Sequence, residues 1–361
     1  MPRSVLLVAV LALIAAATVL LVTSGSAEPP QPRRLLRAKP PASTAPQVAS
    51  PPAVAALGRR TEPHLLVVAD RTLGAAEVER VRRRAGVRAV EVVDAARTTI
   101  GDRTVGTFGV EPSTFRGFTP KATAAADGVW RSVASGEVVV SFGLGTDGGL
   151  VLGSRVRSRE QELRVGAYAT MGLGAVDAVV SRRTARRLGL PSGNALLVSA
   201  PRADWERLRG ALAKALGAQV AVLKPRYTSK AADAPPVPEE RMRRVLAAAG
   251  GKLGAPYVWG AEGPDAFDCS GLIQWAFLQA GIRLPRVTHQ QFAAGPQVPF
   301  SRMRPGDLIF WRLDPTDPGY ISHAAIYWGD GKMIQAPRTG DVVKIVPVHA
   351  RNLAGVVRIS G

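Results

Sequence analysis

The sequence predicts an α+β fold, in which helices and strands are grouped instead of alternating regularly. Two stretches carry apolar patterns in the order strand, helix, strand; the first starts at His64 and the second at Ala195. In the C-terminal third, an apolar helical pattern follows Cys269 and a two-stranded hairpin starts at His323. These observations indicate two α+β units of different construction in one chain.

Proline-rich segments mark the boundaries of these units. Residues 28–57 contain three Pro-Pro pairs, and residues 229–238 contain the run Ala-Pro-Pro-Val-Pro. Segments of this composition favour an extended chain over a packed core. We therefore expect two folded domains, at residues 58–228 and 239–361, each preceded by a linker.

The two strand–helix–strand stretches predict a ferredoxin-like core for the domain at 58–228, with a strand-rich insertion between them. Three segments of the insertion resemble the extracytoplasmic core of MacB-like transporter permeases in their order and in their residues. They are residues 107–112, 136–140 and 185–190. The resemblance implies a binding or scaffolding role for this domain. It contains no recognisable pairing of a nucleophile with a base.

Residues 143–148 of the insertion fit the GxGxxG pattern of dinucleotide-binding loops. In those loops a helix follows the glycines, whereas residues 150–152 have the pattern of a strand. We therefore expect a hairpin loop here and no nucleotide site.

Cys269 is the only cysteine of the chain, so it has no partner for an internal disulfide. Leu272, Ile273, Ala276 and Phe277 follow it at helical spacing, which places Cys269 in the first turn of a helix. The positive end of the helix macrodipole favours a thiolate over a thiol at that position. The alternative is that Cys269 is a small buried core residue, as many free cysteines are.

A nucleophilic thiol needs a base and a third group that orients the base. His323 opens the first strand of the predicted hairpin, and the second strand follows a Gly-Asp-Gly turn. Pairing of Trp328 near Lys332 places Gln335 opposite Ala325. Gln335 is then a diagonal neighbour of His323 and can accept its imidazole N–H. The alternative is a strand histidine and an exposed glutamine without chemistry.

The C-terminal third of the chain, residues 239–361, resembles the NlpC-type cysteine peptidases of bacterial cell walls. Short segments match the family's motifs in order and spacing. They are residues 254–260, 268–272, 284–286 with Gln290, 304–308, 323–327 and 333–337. The resemblance implies a papain-like fold, in which a helix carrying the cysteine packs on an antiparallel sheet carrying the histidine.

The resemblance also implies roles for individual residues. Cys269 falls on the family's nucleophile, His323 on its base, and Gln335 on the polar residue that orients the base. Tyr257 falls on a tyrosine that lines the site and assists the oxyanion. The third position is often histidine in this family, and a neutral glutamine orients the imidazole without adding charge.

Three further residues are candidates for contact with substrate. Asp268 and Ser270 flank the nucleophile, and they either help to hold substrate or cap the N-terminus of the helix. Arg286 either meets a carboxylate of the substrate or is an ordinary surface arginine.

The resemblance implies that the substrate is the stem peptide of peptidoglycan, cut between D-glutamate, linked through its γ-carboxyl, and the diamino acid at position three. We expect acyl transfer to sulfur followed by hydrolysis, with backbone N–H groups near Cys269 and the Tyr257 hydroxyl stabilising the oxyanion. No metal or other cofactor is expected. The four histidines are scattered, HExxH is absent, and one cysteine cannot build a thiolate zinc site.

Residues 1–27 predict export from the cytoplasm of a bacterium. A positive start at Arg3 precedes an apolar run from Ser4 to Val22, and small residues lead to Ala27. The run is either a cleaved signal peptide or an uncleaved membrane anchor, since about 20 residues span a bilayer. We expect the remaining chain to be extracytoplasmic, either secreted or anchored at the cell envelope.

The chain is strongly basic, with a formal net charge of +19. Basic proteins bind anionic polymers, and nucleic acid is the usual candidate. Export argues against nucleic acid. It favours peptidoglycan as a partner, with anionic wall polymers or a membrane protein bound through residues 58–228.

Two hypotheses of different classes therefore apply to the chain. The first is an exported cysteine endopeptidase that remodels peptidoglycan. The second is a wall-binding or scaffold protein that uses the same fold without catalysis. The intact set of Cys269, His323 and Gln335 favours the first, and a Cys269 buried away from His323 favours the second.

Overall fold

The computed structural model describes residues 53–174, 176–223, 235 and 237–360, and residues 50–361 form one compact unit. The predicted export segment at 1–27 lies outside the described residues, as do most of the linkers at 28–57 and 229–238. These assignments stay predictions. Within the described part of the chain, no helix is long and apolar enough to cross a membrane.

Residues 53–223, which we call the nine-stranded region, are built on one mixed sheet. Its strands are β1 (Leu65–Val68), β2 (Ala89–Ile100), β3 (Arg103–Val110), β4 (Val138–Val140), β5 (Arg155–Ser158), β6 (Gln161–Tyr168), β7 (Ala178–Ser181), β8 (Ala195–Ser199) and β9 (Gln219–Val222). Its helices are α1 (Ala75–Arg82), α2 (Pro112–Phe115), α3 (Lys121–Ala125), α4 (Asp127–Ala134), α5 (Phe142–Thr146), α6 (Arg182–Arg187) and α7 (Trp205–Leu216). The strand order is β5-β6-β4-β7-β3-β2-β8-β1-β9.

The order of the strands confirms the predicted ferredoxin-like core. The units β1-α1-β2 and β8-α7-β9 contribute four strands in the order β9-β1-β8-β2, and every neighbouring pair is antiparallel. Helix α7 begins after Asp204, whose side chain accepts a hydrogen bond from the N–H of Arg207, and it ends at Gly217 with a φ of 60°. Its buried face, Leu208, Leu212 and Leu216, packs with the apolar residues of β1 and β8.

The insertion between β2 and β8 adds five strands to the same sheet. The strand-rich prediction is therefore correct, but the expected hairpin at 143–148 is wrong. The hydroxyl oxygen of Ser141 accepts a hydrogen bond from the N–H of Leu144 at 3.2 Å and so starts the short helix α5. Residues 150–152 form no strand, because the chain turns at Gly149 with a φ of 78° before β5 begins.

Residues 237–360, which we call the six-stranded region, pack helices on an antiparallel sheet. The helices are α8 (Glu239–Gly250), α9 (Cys269–Gln279) and α10 (Thr288–Phe292). The strands are β10 (Gln297–Val298), β11 (Leu308–Trp311), β12 (His323–Gly329), β13 (Lys332–Gln335), β14 (Lys344–Pro347) and β15 (Leu353–Val357). Their order is β10-β15-β11-β12-β13-β14.

Helix α9 holds Cys269 in place by burying one apolar face in a core that it shares with this sheet. Its fully buried residues share one core with residues of β11, β12 and β13: Leu272, Ile273, Ala276 and Phe277 with Phe310, Ala324, Ile326 and Ile334. A buried side chain of this size contributes about 1.5–3 kcal/mol. The helix with the cysteine therefore packs on the sheet with the histidine, which confirms the papain-like prediction.

Candidate active site

Cys269 is the first residue of α9 because Asp268 caps that helix. The Oδ1 atom of Asp268 accepts a hydrogen bond from the N–H of Gly271 at 2.7 Å, the contact that fixes a helix start. The Cys269 side chain is partly buried and accepts a hydrogen bond from the backbone N–H of Ala324. The candidate nucleophile therefore lies against the strand that His323 opens.

His323 and Gln335 form a hydrogen-bonded pair across the β12–β13 hairpin. Ile326 pairs with Ile334, so Gln335 follows opposite Ala325 as predicted, although a bulge near the turn pairs Lys332 with Gly329 and not with Trp328. The Nε2 atom of His323 lies 2.6 Å from the Oε1 atom of Gln335. Because an amide oxygen can only accept, Nε2 carries the proton and Nδ1 keeps a lone pair that can take a proton.

The surroundings of His323 keep its imidazole neutral. The residue is 7% exposed, and its ring packs against that of Trp311 with centroids 5.7 Å apart. Burial lowers the pKa of His323, and the bond to Gln335 opposes this only in part. A neutral imidazole is the form that accepts a proton from a thiol.

One cavity of about 160 Å³ is lined by five of the predicted site residues, namely Tyr257, Asp268, Cys269, Ser270 and Arg286. Tyr257 is 4% exposed. Burial raises the pKa of its hydroxyl, and negative charge on Cys269 raises it further. The phenol therefore stays protonated close to the sulfur, where it can donate a hydrogen bond to an oxyanion.

Asp268, Ser270 and Arg286 bind one another beside the cavity. The Nη1 atom of Arg286 donates to Asp268 Oδ1 at 3.0 Å and to Ser270 Oγ at 2.8 Å, and Nη2 donates to Asp268 Oδ2 at 2.6 Å. Its Nε atom lies 3.0 Å from Glu262 Oε1. Arg286 is thus paired with two carboxylates and steadies the cap of α9. Asp268 serves as that cap, while contacts of these three residues with substrate stay predictions.

The Cys269 thiol has a raised pKa, so the expectation of a thiolate favoured by the macrodipole is wrong for this structure. Burial raises the pKa of Cys269 to about 12, and the charges of Asp268 and Asp147 add to the rise. The helix N-terminus and the N–H of Ala324 favour the thiolate, but the cost of desolvating a charge outweighs both. The resting side chain is therefore a thiol, and its proton must pass to a base before the sulfur can attack.

Part of the cavity wall comes from the nine-stranded region, which the sequence did not indicate. Ser141, Gly143, residues 171–174 and Asp177 line the same cavity as Cys269. Glycines such as those at 172 and 174 are ordinary turn signals, and Asp177 belongs to no motif. No pattern in the sequence connects these segments with the C-terminal third.

Asp177 is the acidic residue that the nine-stranded region contributes to this cavity. Its Oδ1 atom accepts a hydrogen bond from Ser141 Oγ at 3.0 Å, and the side chain of Trp259 forms a second bond to it. Burial raises the pKa of Asp177 to about 6, the charge of Asp268 raises it further, and Arg286 opposes the shift.

This raised pKa predicts that Asp177 makes the fold less stable as the pH rises. The folded chain favours the protonated form of Asp177. The contribution of this residue to the free energy of unfolding is therefore complete below about pH 4 and is lost as the pH rises to about 6. We expect Asp177→Asn to become more stable relative to the wild type by about 2 kcal/mol between those limits. Thermal and urea unfolding of both chains from pH 4 to 7 measures the difference.

The exposed Asp265 provides the control for this experiment. Asp265→Asn should track the wild type across the same range. An equal pH dependence for Asp177→Asn and the wild type would contradict the assignment.

Comparison with known proteins matches residues 254–356 to the NlpC/P60 family. A probable endopeptidase of Mycobacterium tuberculosis (strain ATCC 25618 / H37Rv) is 43% identical over 106 residues, covering 29% of this chain and 26% of that protein. The peptidoglycan endopeptidase RipA of the same strain is 36% identical over 119 residues, covering 29% of this chain and 24% of RipA. Among solved structures, RipD of Mycobacterium tuberculosis, titled a non-catalytic NlpC/p60 domain protein adapted to peptidoglycan binding, is 33% identical. The match covers 33% of this chain and 97% of that chain, with a TM-score of 0.29.

The family match lies within the six-stranded region. The chain spans about a quarter of the length of the curated relatives named above. The resemblance of residues 58–228 to MacB-like permeases stays a prediction. The matched segment contains the cysteine-bearing helix, the histidine-bearing strand and Gln335, so the C-terminal part of this chain is an NlpC/P60 domain.

Proposed function

We propose that this chain is an exported cysteine endopeptidase that hydrolyses peptidoglycan stem peptides at the bond between γ-linked D-glutamate and the diamino acid. The observation that carries the proposal is the contact of Cys269 with Ala324, next to the His323–Gln335 pair, inside an NlpC/P60 domain. A nucleophile, a base and a group that orients the base are the set that thiol-based acyl transfer requires. The relatives named as endopeptidases support the same activity.

In the proposed reaction, Nδ1 of His323 takes the thiol proton as the sulfur of Cys269 attacks the γ-carbonyl carbon. The oxyanion accepts hydrogen bonds from the Tyr257 hydroxyl and from backbone N–H groups near Cys269. Collapse of this intermediate breaks the C–N bond, and the leaving amine takes the proton from His323. Water, deprotonated by the same imidazole, then hydrolyses the thioester and restores the thiol. Gln335 keeps the ring oriented through both steps.

Mass spectrometry of muropeptides incubated with the purified full-length chain, as the wild type and as the opened variants described below, tests the proposal. We expect two products whose masses add up to that of the substrate plus one water, with the cut after γ-linked D-glutamate. A cut at another bond would overturn the substrate assignment. No product from any muropeptide, including with the opened variants described below, would favour the catalytically silent wall-binding or scaffold protein.

We further propose that residues 58–228 bind anionic wall polymers or a membrane protein and so position the enzyme at the cell envelope. The net charge of +19 supports a polyanionic target. Binding of the full-length chain to isolated cell walls should then weaken steeply between low and high salt, because exposed charges are screened within about 8 Å at physiological ionic strength. Removing the anionic polymers from the walls should abolish it. Equal retention under all conditions would contradict a polyanionic target.

A further inference from the structure

The nine-stranded region lies across the cavity that contains Cys269. Ser141, residues 171–174 and Asp177 form part of its wall, together with Tyr257 and Asp268 of the six-stranded region. The cavity has a volume of about 160 Å³, whereas ligand pockets usually measure about 300–1,000 Å³. A cavity of about 150 Å³ admits a group the size of benzene. A stem peptide, with residues on both sides of a scissile bond, does not fit.

Hydrogen bonds join the two regions at the loop that follows β11. The backbone N–H of Thr170 donates to Thr316 Oγ1 at 2.9 Å, and the hydroxyl of Thr170 donates to Asp314 Oδ2. Asp314 is 2% exposed, so hydrogen-bond donors from the protein take the place of water around its side chain. Thr123 adds a hydrogen bond from its hydroxyl to the carbonyl of Thr316 at 3.4 Å.

A second set of contacts lies at the loop that follows β13. The backbone N–H of Thr339 donates to the carbonyl of Asp147 at 2.7 Å. Because β11 and β13 both neighbour β12 in the sheet, the two loops flank the end of β12 at which His323 lies. Hydrogen bonds therefore hold the nine-stranded region to the six-stranded region on both sides of the candidate active site.

Between these two sets of hydrogen bonds, side chains of the two regions pack closely. A Cβ atom added at Gly143 would lie 2.7 Å from the Cη2 atom of Trp259, closer than any real contact. Trp259 is two residues beyond Tyr257, at the edge of the cavity. The two regions thus meet here without room for one methyl group.

The nine-stranded region also changes the chemistry of the thiol beneath it. Burial raises the pKa of Cys269, and the carboxylate of Asp147, which belongs to the nine-stranded region, raises it further. A thiol with a raised pKa is a poor nucleophile at neutral pH. Burial of Cys269 and the charge of Asp147 therefore both raise the pKa of the thiol.

We propose that the nine-stranded region is an intramolecular lid that keeps stem peptides away from Cys269 until the two regions separate. This inference rests on the proposed function for the identity of the excluded substrate. Cys269, His323, Gln335 and Tyr257 all belong to the six-stranded region, so separation uncovers a complete set of groups without rearranging them.

Two substitutions in the full-length chain should open the lid. Gly143→Leu forces its side chain against Trp259 while keeping a good helix former in α5. Thr170→Val keeps the side-chain shape and removes the hydroxyl that serves Asp314. The control for Gly143→Leu is Gly128→Leu, because nothing lies within 4 Å of a Cβ atom added at Gly128. The control for Thr170→Val is Thr98→Val, because the buried hydroxyl of Thr98 has no hydrogen-bond partner among the described residues.

The first readout is the rate at which iodoacetamide alkylates Cys269, the only cysteine of the chain, at about pH 7. We expect both opening variants to react about tenfold faster than the wild type, in line with loss of a hydrogen bond to a buried charge. Both controls should match the wild type. Circular dichroism and the unfolding midpoint show that each variant is folded. Unchanged alkylation in both folded opening variants would overturn the lid.

The second readout is muropeptide cleavage, which separates the lid from the proposed function. Faster cleavage by both opening variants supports the lid and the function together. Faster alkylation without any cleavage supports the lid and overturns the function. Equal cleavage by the wild type and both opening variants, with unchanged alkylation, supports the function and overturns the lid.

Discussion

Cys269→Ala is expected to abolish muropeptide hydrolysis while the chain keeps its fold. Alanine fits the first turn of α9, and the cap made by Asp268 does not involve the sulfur. Without a nucleophile the covalent route is closed, so we expect turnover to fall by about 10⁶-fold. Product formation followed by mass spectrometry measures this loss, and circular dichroism checks the fold.

Gln279→Ala is the matched control, because Gln279 is exposed at the far end of the same helix. It should retain the wild-type rate. Substantial hydrolysis by Cys269→Ala would show that the thiol is not the nucleophile, whatever else the domain does.

Gln335→Ala should lower turnover by about 100-fold, a typical loss for a residue that orients a reactive group. The 2.6 Å contact with Gln335 selects the tautomer of His323 and holds its ring. Without it the ring can rotate and expose either nitrogen to the thiol. Turnover measured as a function of pH for the wild type and the variant gives the size of the effect.

Gln335→Glu and Gln335→His serve as conservative controls, since both can still accept the imidazole N–H. Both should retain much of the activity. The carboxylate of Gln335→Glu should also raise the pKa of His323 and move the pH profile upward. Wild-type rates and an unchanged pH profile in all three variants would contradict the orienting role.

Local patterns in the sequence predicted the elements of the candidate site well. The spacing of apolar residues after Cys269 and the cap at Asp268 define α9, and both signals lie within a few residues of each other. The Gly-Asp-Gly turn set the hairpin register that brings Gln335 to His323. These features could be predicted because short-range geometry determines them.

Contacts between distant segments could not be predicted in the same way. The pKa of the Cys269 thiol depends on burial and on Asp147, which reaches the site only through the fold of the nine-stranded region. The position of Cys269 at the N-terminus of α9 could be predicted, but no local pattern indicates which residues cover the thiol. At residues 143–148 the expected hairpin is replaced by a short helix, because the side chain of Ser141 caps that helix.

The proposed lid accounts for a complete set of candidate catalytic groups beside a thiol whose pKa is raised. His323 and Gln335 are positioned for proton transfer. The nine-stranded region, however, buries Cys269 and adds the charge of Asp147. Under the proposed lid, we expect the chain to have low activity until its two regions separate.

A substrate-shaped electrophile tests whether Cys269 is a nucleophile at a site that recognises stem peptides. In this probe a chloromethyl ketone replaces the amide at the γ-carboxyl of D-glutamate, so thiol attack displaces chloride and leaves a stable thioether. Peptide mapping of the wild type and Gly143→Leu after reaction should show a single adduct, on Cys269, whose formation is suppressed by excess muropeptide. No adduct on Cys269 in either chain, or modification at the same rate with and without muropeptide, would contradict the account.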